Sequence, residues 1–334
     1  MRSRISAIRL LALVLLVGVS TAACGRYSIG NIRSLMAFKE ANGYYQKQDF
    51  AKAIPAYEEA IEHNPEFGLV YFFLGHSHDN MYKSSAAGNA ENDQHIQKAV
   101  EYYNKAIQTI KPEEPSADQI RKLAYEYLIA AYGPDKLNDF SQAEPIAKRL
   151  IDMEPNEPGN YQTLGKLYED QGRYDDAEAY FVKATEIRPN DPVGYAALAG
   201  YYNRQANFEK TMEAWESRAK VEPNNPEAHH TIATWLWEKA FKDFTIDAKT
   251  KRAYIDRAIA AEDTALSLHA DYIEALTYKN ILLRMKANTE KDRKVIDGLI
   301  KEADRLRDRA MELQKQQAEA AAAGSGSGSG SGGL

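Results

Sequence analysis

The chain has a single cysteine in 334 residues, Cys24, so no disulfide framework can hold it together. It has little continuous greasy sequence. The apolar run at residues 10–19 stops far short of the roughly 20 residues that a spanning helix needs, and no other stretch is longer. It is short of positive charge, with 42 Lys and Arg against 48 Asp and Glu and a formal net charge of −6. That balance disfavours nucleic acid and anionic lipid head groups as partners. It also lacks the patterns that carry chemistry: there is no phosphate-cradling loop, no HExxH zinc helix, no calcium loop and no nucleophile elbow. Together these absences argue against an enzyme, a nucleic-acid binder and a multi-span membrane protein. No cofactor is implied.

What the sequence does have is a period. Pro155, Pro189 and Pro223 are spaced 34 and 34 residues apart. Within the clearest unit, Tyr161, Leu164, Gly165 and Tyr168 fall on one helical face, Gly172 marks a turn, and Ala177, Phe181 and Ala184 fall on a second face. Small residues sit where two helices must approach closely, aromatics fill the space around them, and the proline cannot continue the helix. The same register recurs at Ala41, Tyr44, Ala53, Tyr57, Ala60 and Pro65, then at Tyr71, Leu74, Gly75, Ala99, Tyr103 and Ala106. It continues at Tyr127, Ala131, Ala143, Ala147 and Leu150, at Tyr195, Leu198, Ala199, Tyr202 and Trp215, and at Ile232, Ala233, Leu236, Ala258 and Ala265. These residues resemble the tetratricopeptide repeat (TPR). The resemblance implies an all-α fold, a right-handed solenoid of stacked helix–turn–helix repeats over residues 34–270, about six in number.

Two repeats run to 47 residues, from Pro65 to Pro112 and from Pro223 to Ala270. The excess falls between the two helices of each unit, at residues 84–94 and 242–250. It is expected as loop growth, which costs little entropy, on one edge of the stack. Ser116 with Gln119 has the spacing of a helix-capping box. Residues 271–316 read as a degenerate last repeat and a capping helix. Ile296, Leu299, Ala303, Leu306, Ala310 and Leu313 form its apolar stripe, and its other faces are charged. A short coiled coil is the alternative for this helix, and a monomer is expected. The Ala/Gly/Ser tail, residues 317–334, cannot bury a core and is expected to be disordered.

The first residues point to location. Arg2, Arg4 and Arg9 precede the apolar run, and small residues lead to Cys24. This is a secretory signal over residues 1–23. The position of Cys24 resembles the lipobox of bacterial lipoproteins. That resemblance implies an acylated Cys24 carrying a diacylglyceryl group and often a third chain such as palmitate. Residues 24–33 become the anchor and linker, and Gly25 after the cysteine implies outer-membrane sorting. Removing the signal takes away three arginines and no acid, leaving about −9.

His76, His78 and Asp79 resemble a metal motif only in order, since helical positions two apart point about 200° apart; His78 is expected to pack, and no metal site is expected. The functional surface expected from the register is the inner face lined by first helices. Phe38, Asn42, Tyr45, Phe72, His76, Asp79, Gln162, Lys166, Glu169, Asn203, Arg204, His230, Thr234 and Trp237 should point there. Rings interleaved with amides and mixed charges suit an extended peptide or a partner helix. Packing against the next helix is the alternative for each. Phe38 stands where chaperone-binding TPR domains place the first lysine of their carboxylate clamp, so that activity is not expected. The TPR and lipoprotein resemblances together imply a lipid-anchored scaffold for an envelope protein or peptide, facing the periplasm. A periplasmic module for a small molecule or peptidoglycan fragment is the alternative.

Overall fold

The computed structural model describes residues 29–112 and 116–326. The expected signal segment, Cys24 and residues 327–334 lie outside them. Among the described residues there are fourteen α-helices, one short 3-10 turn at Ser84–Ala86 and no strand. In chain order the helices are α1 (Ile29–Gln46), α2 (Phe50–His63), α3 (Gly68–Met81), α4 (Ala90–Thr109), α5 (Ala117–Ala131), α6 (Phe140–Met153) and α7 (Pro158–Asp170). They continue with α8 (Tyr174–Ile187), α9 (Pro192–Arg204), α10 (Phe208–Val221), α11 (Pro226–Lys242), α12 (Ala248–Leu268), α13 (Ile273–Ala287) and α14 (Arg293–Gly326). They form two compact units, one ending at Ala177 and one beginning at Glu178, with the division inside α8. In the first unit α1 through α6 each pack on the next helix in sequence, and in the second α9 through α13 do the same.

Local chemistry explains the helix starts. Pro158, Pro192 and Pro226 open α7, α9 and α11, where the missing N–H costs nothing. Glu157, Asp191 and Asn225 precede them, and each side chain accepts a hydrogen bond from the N–H two residues on. The prolines that mark the period make a contact of their own. Tyr71, Tyr161 and Tyr195 donate through their hydroxyls to the carbonyls of Pro65, Pro155 and Pro189 at 3.1, 3.0 and 3.0 Å. His229 takes the same place against Pro223, at 3.1 Å. Four repeats thus tie the first turn of one hairpin to the proline that ends the one before.

The three-residue turns 47–49, 171–173 and 205–207 each put their middle residue in the left-handed region: Gln48 at φ 59°, Gly172 at 69° and Ala206 at 54°. Only Gly172 adopts it without steric cost. Close approach explains Gly75 of α3, where an added Cβ would meet the Tyr103 ring of α4 at 3.0 Å.

Four expectations change. The extra residues of the long repeats are mostly helix, not loop. α4 and α12 have 20 and 21 residues, against 14 in α2, α6 and α10. Asn89 and Asp247 cap the lengthened helices, each accepting from two N–H groups of the first turn. The capping box at Ser116 does not form. Ser116 has φ 60° and its side chain accepts no cap hydrogen bond, because the left-handed backbone turns it away from the first turn. α1 begins at Ile29, inside the span read as linker. At the other end, α14 runs to Gly326, carried by the alanines that precede the Gly/Ser repeat.

α14 covers the end of the second unit. Ala303, Leu306 and Ala310 pack on Leu276 and Leu283 of α13. Lys279 bridges Asp263 and Glu302 at 2.7 and 2.8 Å, and Arg284 reaches Asp304 at 2.6 Å.

Candidate functional site

In the first unit, the six residues of α1 and α3 expected on the inner face form a connected network. Phe38 of α1 packs among Tyr57, Phe67 and Phe73, with ring centroids 5.9, 5.0 and 5.9 Å away. Asn42 accepts from the Tyr57 hydroxyl at 2.7 Å. Tyr45 and His76 share a hydrogen bond of 2.9 Å from Oη to Nδ1. The His76 ring stands edge-on to Tyr127 at 4.8 Å. Burial pushes His76 below the ordinary histidine range and Tyr45 above the ordinary phenol range. Burial thus disfavours the charged form of each partner in this bond. Phe72 is buried. Asp79, whose side chain is 7% exposed, pairs with Lys136 from the turn after α5 and accepts weakly from the Tyr103 hydroxyl at 3.5 Å.

His78 is buried, as expected. Its Nδ1 lies 2.9 Å from Nδ1 of His95, so one nitrogen carries a proton and the other does not. Its ring stacks on Tyr102. Burial pushes His78 down to about 4, with Lys98 and His95 adding to the shift. On α7, Lys166 is exposed and pairs with Asp170 and Glu169, Glu169 is buried, and Gln162 is half-buried.

The second unit is arranged differently. Asn203 and Arg204 are exposed at the end of α9. Beside Asn203 a pocket of about 410 Å³ opens to solvent between the ends of α9, α10 and α11. Phe208, Thr211, Ala206 and Trp235 line it, and Glu238, Lys239, Lys242 and Asp243 rim it. The rim is self-neutralised: Lys239 pairs with Asp243 at 2.8 Å and Lys242 with Glu238 at 2.6 Å. Lys239 also sits 5.2 Å from the centre of the Phe208 ring. Hydrogen bonds from Lys239 and Thr245 hold the Asp243 carboxyl well below the usual range.

His230, Thr234 and Trp237 lie on another face of α11. The His230 ring is 5.1 Å from Tyr278 of α13, and Trp237 meets the same tyrosine edge-on at 5.2 Å. The Thr234 hydroxyl donates to the Thr231 carbonyl at 2.8 Å. Nδ1 of His230 is 2.8 Å from one oxygen of Glu262, which is fully buried on α12. The other oxygen of Glu262 and the indole N–H of Trp237 are buried with no hydrogen-bond partner among the described residues. Burial pushes the Glu262 carboxyl up to about 7, against the downward pull of His230.

Of the fourteen residues expected on the inner face, Lys166, Asn203 and Arg204 are exposed, Phe72 and Glu169 are buried, and the rest are half-buried. The pocket wall at Trp235, Glu238, Lys239 and Lys242 was absent from that set. Its signal was a tryptophan followed by charged residues at spacings of 3, 1 and 3, one face of a helix. Glu262 was also missed. It lies in the stripe Ile255, Ala258, Glu262, Ala265, where every other residue is apolar. Among the described residues no three His, Cys, Asp or Glu side chains converge to hold a metal ion, and no helix is long and apolar enough to cross a membrane.

Comparison with known proteins supports the repeat. The tetratricopeptide repeat family matches residues 37–67 and 136–201. Among solved structures, the C-terminal part of a TPR repeat-containing protein from Cytophaga hutchinsonii is 14% identical. It covers 83% of this chain and 98% of its own, with a TM-score of 0.50. A tetratricopeptide repeat protein from Parabacteroides merdae is 13% identical over 81% of this chain and 98% of its own, at 0.43. YrrB, described as a TPR protein with an unusual peptide-binding site, is 18% identical over 58% of this chain and 89% of its own, at 0.38. No curated protein matches the chain. Residues 37–67 and 136–201 thus match tetratricopeptide repeats, and the described residues form an all-helical fold.

Proposed function

We propose that this chain is a protein-interaction scaffold, held at the bacterial envelope by a lipid on Cys24 and facing the periplasm.

 The reading rests on one observation. The pocket beside α11 has an apolar floor, Phe208 and Trp235, and a rim whose charges neutralise one another. Such a site takes an apolar or aromatic side chain from a partner, with the exposed amide of Asn203 placed to fix its backbone. The lipid anchor is supported by the order of basic, apolar and small residues before the single cysteine. A small molecule or peptidoglycan fragment is the second reading. The volume of about 410 Å³ suits it, but the open mouth does not.

Two experiments test these parts separately. With an intact N-terminus the chain should fractionate with membranes, and Cys24→Ala should release it; a variant that stays wholly membrane-bound contradicts the anchor. Trp235→Ala combined with Phe208→Ala should remove partners that co-purify from native membranes. An unchanged partner set contradicts the pocket.

A further inference from the structure

α1 has two apolar faces. Ser34, Ala37 and Ala41 are buried in the first unit. On the opposite side Ile29, Ile32, Leu35 and Met36 are 71, 48, 55 and 68% exposed. Their spacings of 3, 3 and 1 keep them within about a third of the helix circumference. In α3, the next first helix, Val70, Tyr71, Phe72 and Leu74 are all buried. The difference has a simple cause: α3 follows a packed second helix, and among the described residues nothing precedes α1.

The geometry points to a membrane surface as the occupant of this face: α1 lies in the interfacial layer of the bilayer, its outer face among the head groups and upper acyl chains. This inference rests on the lipid-anchored reading above. If Cys24 is acylated, the residues up to Ile29 can reach at most about 18 Å from the head groups, even fully extended. α1 is therefore kept beside the membrane, and its four exposed side chains are at the end nearest the tether. Exposed Arg33 and Lys39 adjoin the stripe, with the single acid Glu40 beside them, so this part of an acidic chain carries the net positive charge that accompanies an interfacial helix. The contact adds a second membrane signal to the lipid and would fix the orientation of the first repeats.

The test uses a thiol label. In the lipidated chain the Cys24 sulfur is in a thioether, so Met36→Cys, or Gln97→Cys on exposed α4 as control, supplies the free thiol. Each is labelled with an environment-sensitive fluorophore in lipidated full-length protein, in vesicles of phosphatidylethanolamine and phosphatidylglycerol. The label at residue 36 should shift to the blue and be quenched several-fold more by a shallow doxyl lipid than the label at residue 97. Equal, water-like emission and quenching at both positions in vesicle-bound protein overturns the proposal while leaving the anchor intact. A blue shift that depends on protein concentration and not on vesicles assigns the face to a second copy, and also overturns it. Maleimide uptake by the unmutated chain shows a free Cys24 thiol, and it is the anchor reading that then fails. The Cys24→Ala, Met36→Cys chain added to the same vesicles decides the α1 proposal in that case: selective quenching sustains it and its absence overturns it.

Discussion

The two long hairpins, α3–α4 in the first unit and α11–α12 in the second, solve the same problem with opposite charges. Each has a lengthened second helix, and each buries a titratable group between its two helices. In α3–α4 that group is His78, facing His95. In α11–α12 it is Glu262, facing His230. Burial penalises the charged form of both, which moves a base down and an acid up. His78 therefore supports its hairpin when neutral. Its contribution is complete above about 6.5 and is lost as pH falls toward about 4. Glu262 supports its hairpin when protonated. Its contribution is complete below about 4.5 and is lost as pH rises toward about 7. A lengthened helix therefore does not dictate what its hairpin buries; one side chain sets the sign of the pH response.

The largest expected effect tests how far the first hairpin depends on its paired charges. Lys136→Met leaves the Asp79 carboxylate largely buried and unpaired, and should cost about 3–5 kcal/mol in urea denaturation. Adding Asp79→Leu should recover much of the loss. If the double variant is no more stable than the single one, Asp79 does not depend on Lys136.

The pH responses should differ next. All three tryptophans, Trp215, Trp235 and Trp237, lie in the second unit, so their fluorescence reports that unit alone. Its stability should fall between pH 4.5 and 7, by on the order of 1.4 kcal/mol per pH unit for one proton, and Glu262→Gln should flatten the fall. Hydrogen exchange in α4, corrected for intrinsic rates, should show the reverse slope between pH 4 and 6.5, and His78→Phe should abolish it. Equal slopes in both hairpins would remove the contrast.

The smallest effect concerns the turns common to both units. Ala206→Gly and Gln48→Gly relieve a left-handed backbone at a side chain-bearing residue, and each should stabilise its own unit by up to about 1 kcal/mol. A loss of thermal stability in both would mean that chain entropy outweighs the strain.

Much of the fold was legible because a repeat writes its register several times. The 34-residue spacing located helices, turns and small-residue contacts, and the proline carbonyl ties at Tyr71, Tyr161, Tyr195 and His229 follow that spacing. What was not legible is where local and tertiary preferences part. Residues 84–94 look like a loop by composition, yet Asn89 caps a helix that starts at Ala90. Ser116 and Gln119 have a capping-box spacing, but the backbone at Ser116 does not allow it. The candidate surface was the least legible part. Periodicity assigns a residue to a face, but not whether the next helix covers it. Trp237 and Trp235 are two residues apart; the first packs on Tyr278 and the second lines the open pocket.

The central claim is that exposed first-helix positions receive a partner. The direct measurement is site-specific photo-crosslinking in cells expressing the chain. A photoreactive residue replaces Asn203 on α9 or Lys166 on α7 and, as controls, Lys105 on α4 or Lys183 on α8, all exposed. The account predicts a discrete adduct from Asn203 and Lys166 and none from Lys105 or Lys183. Adducts from the second-helix positions alone would contradict it.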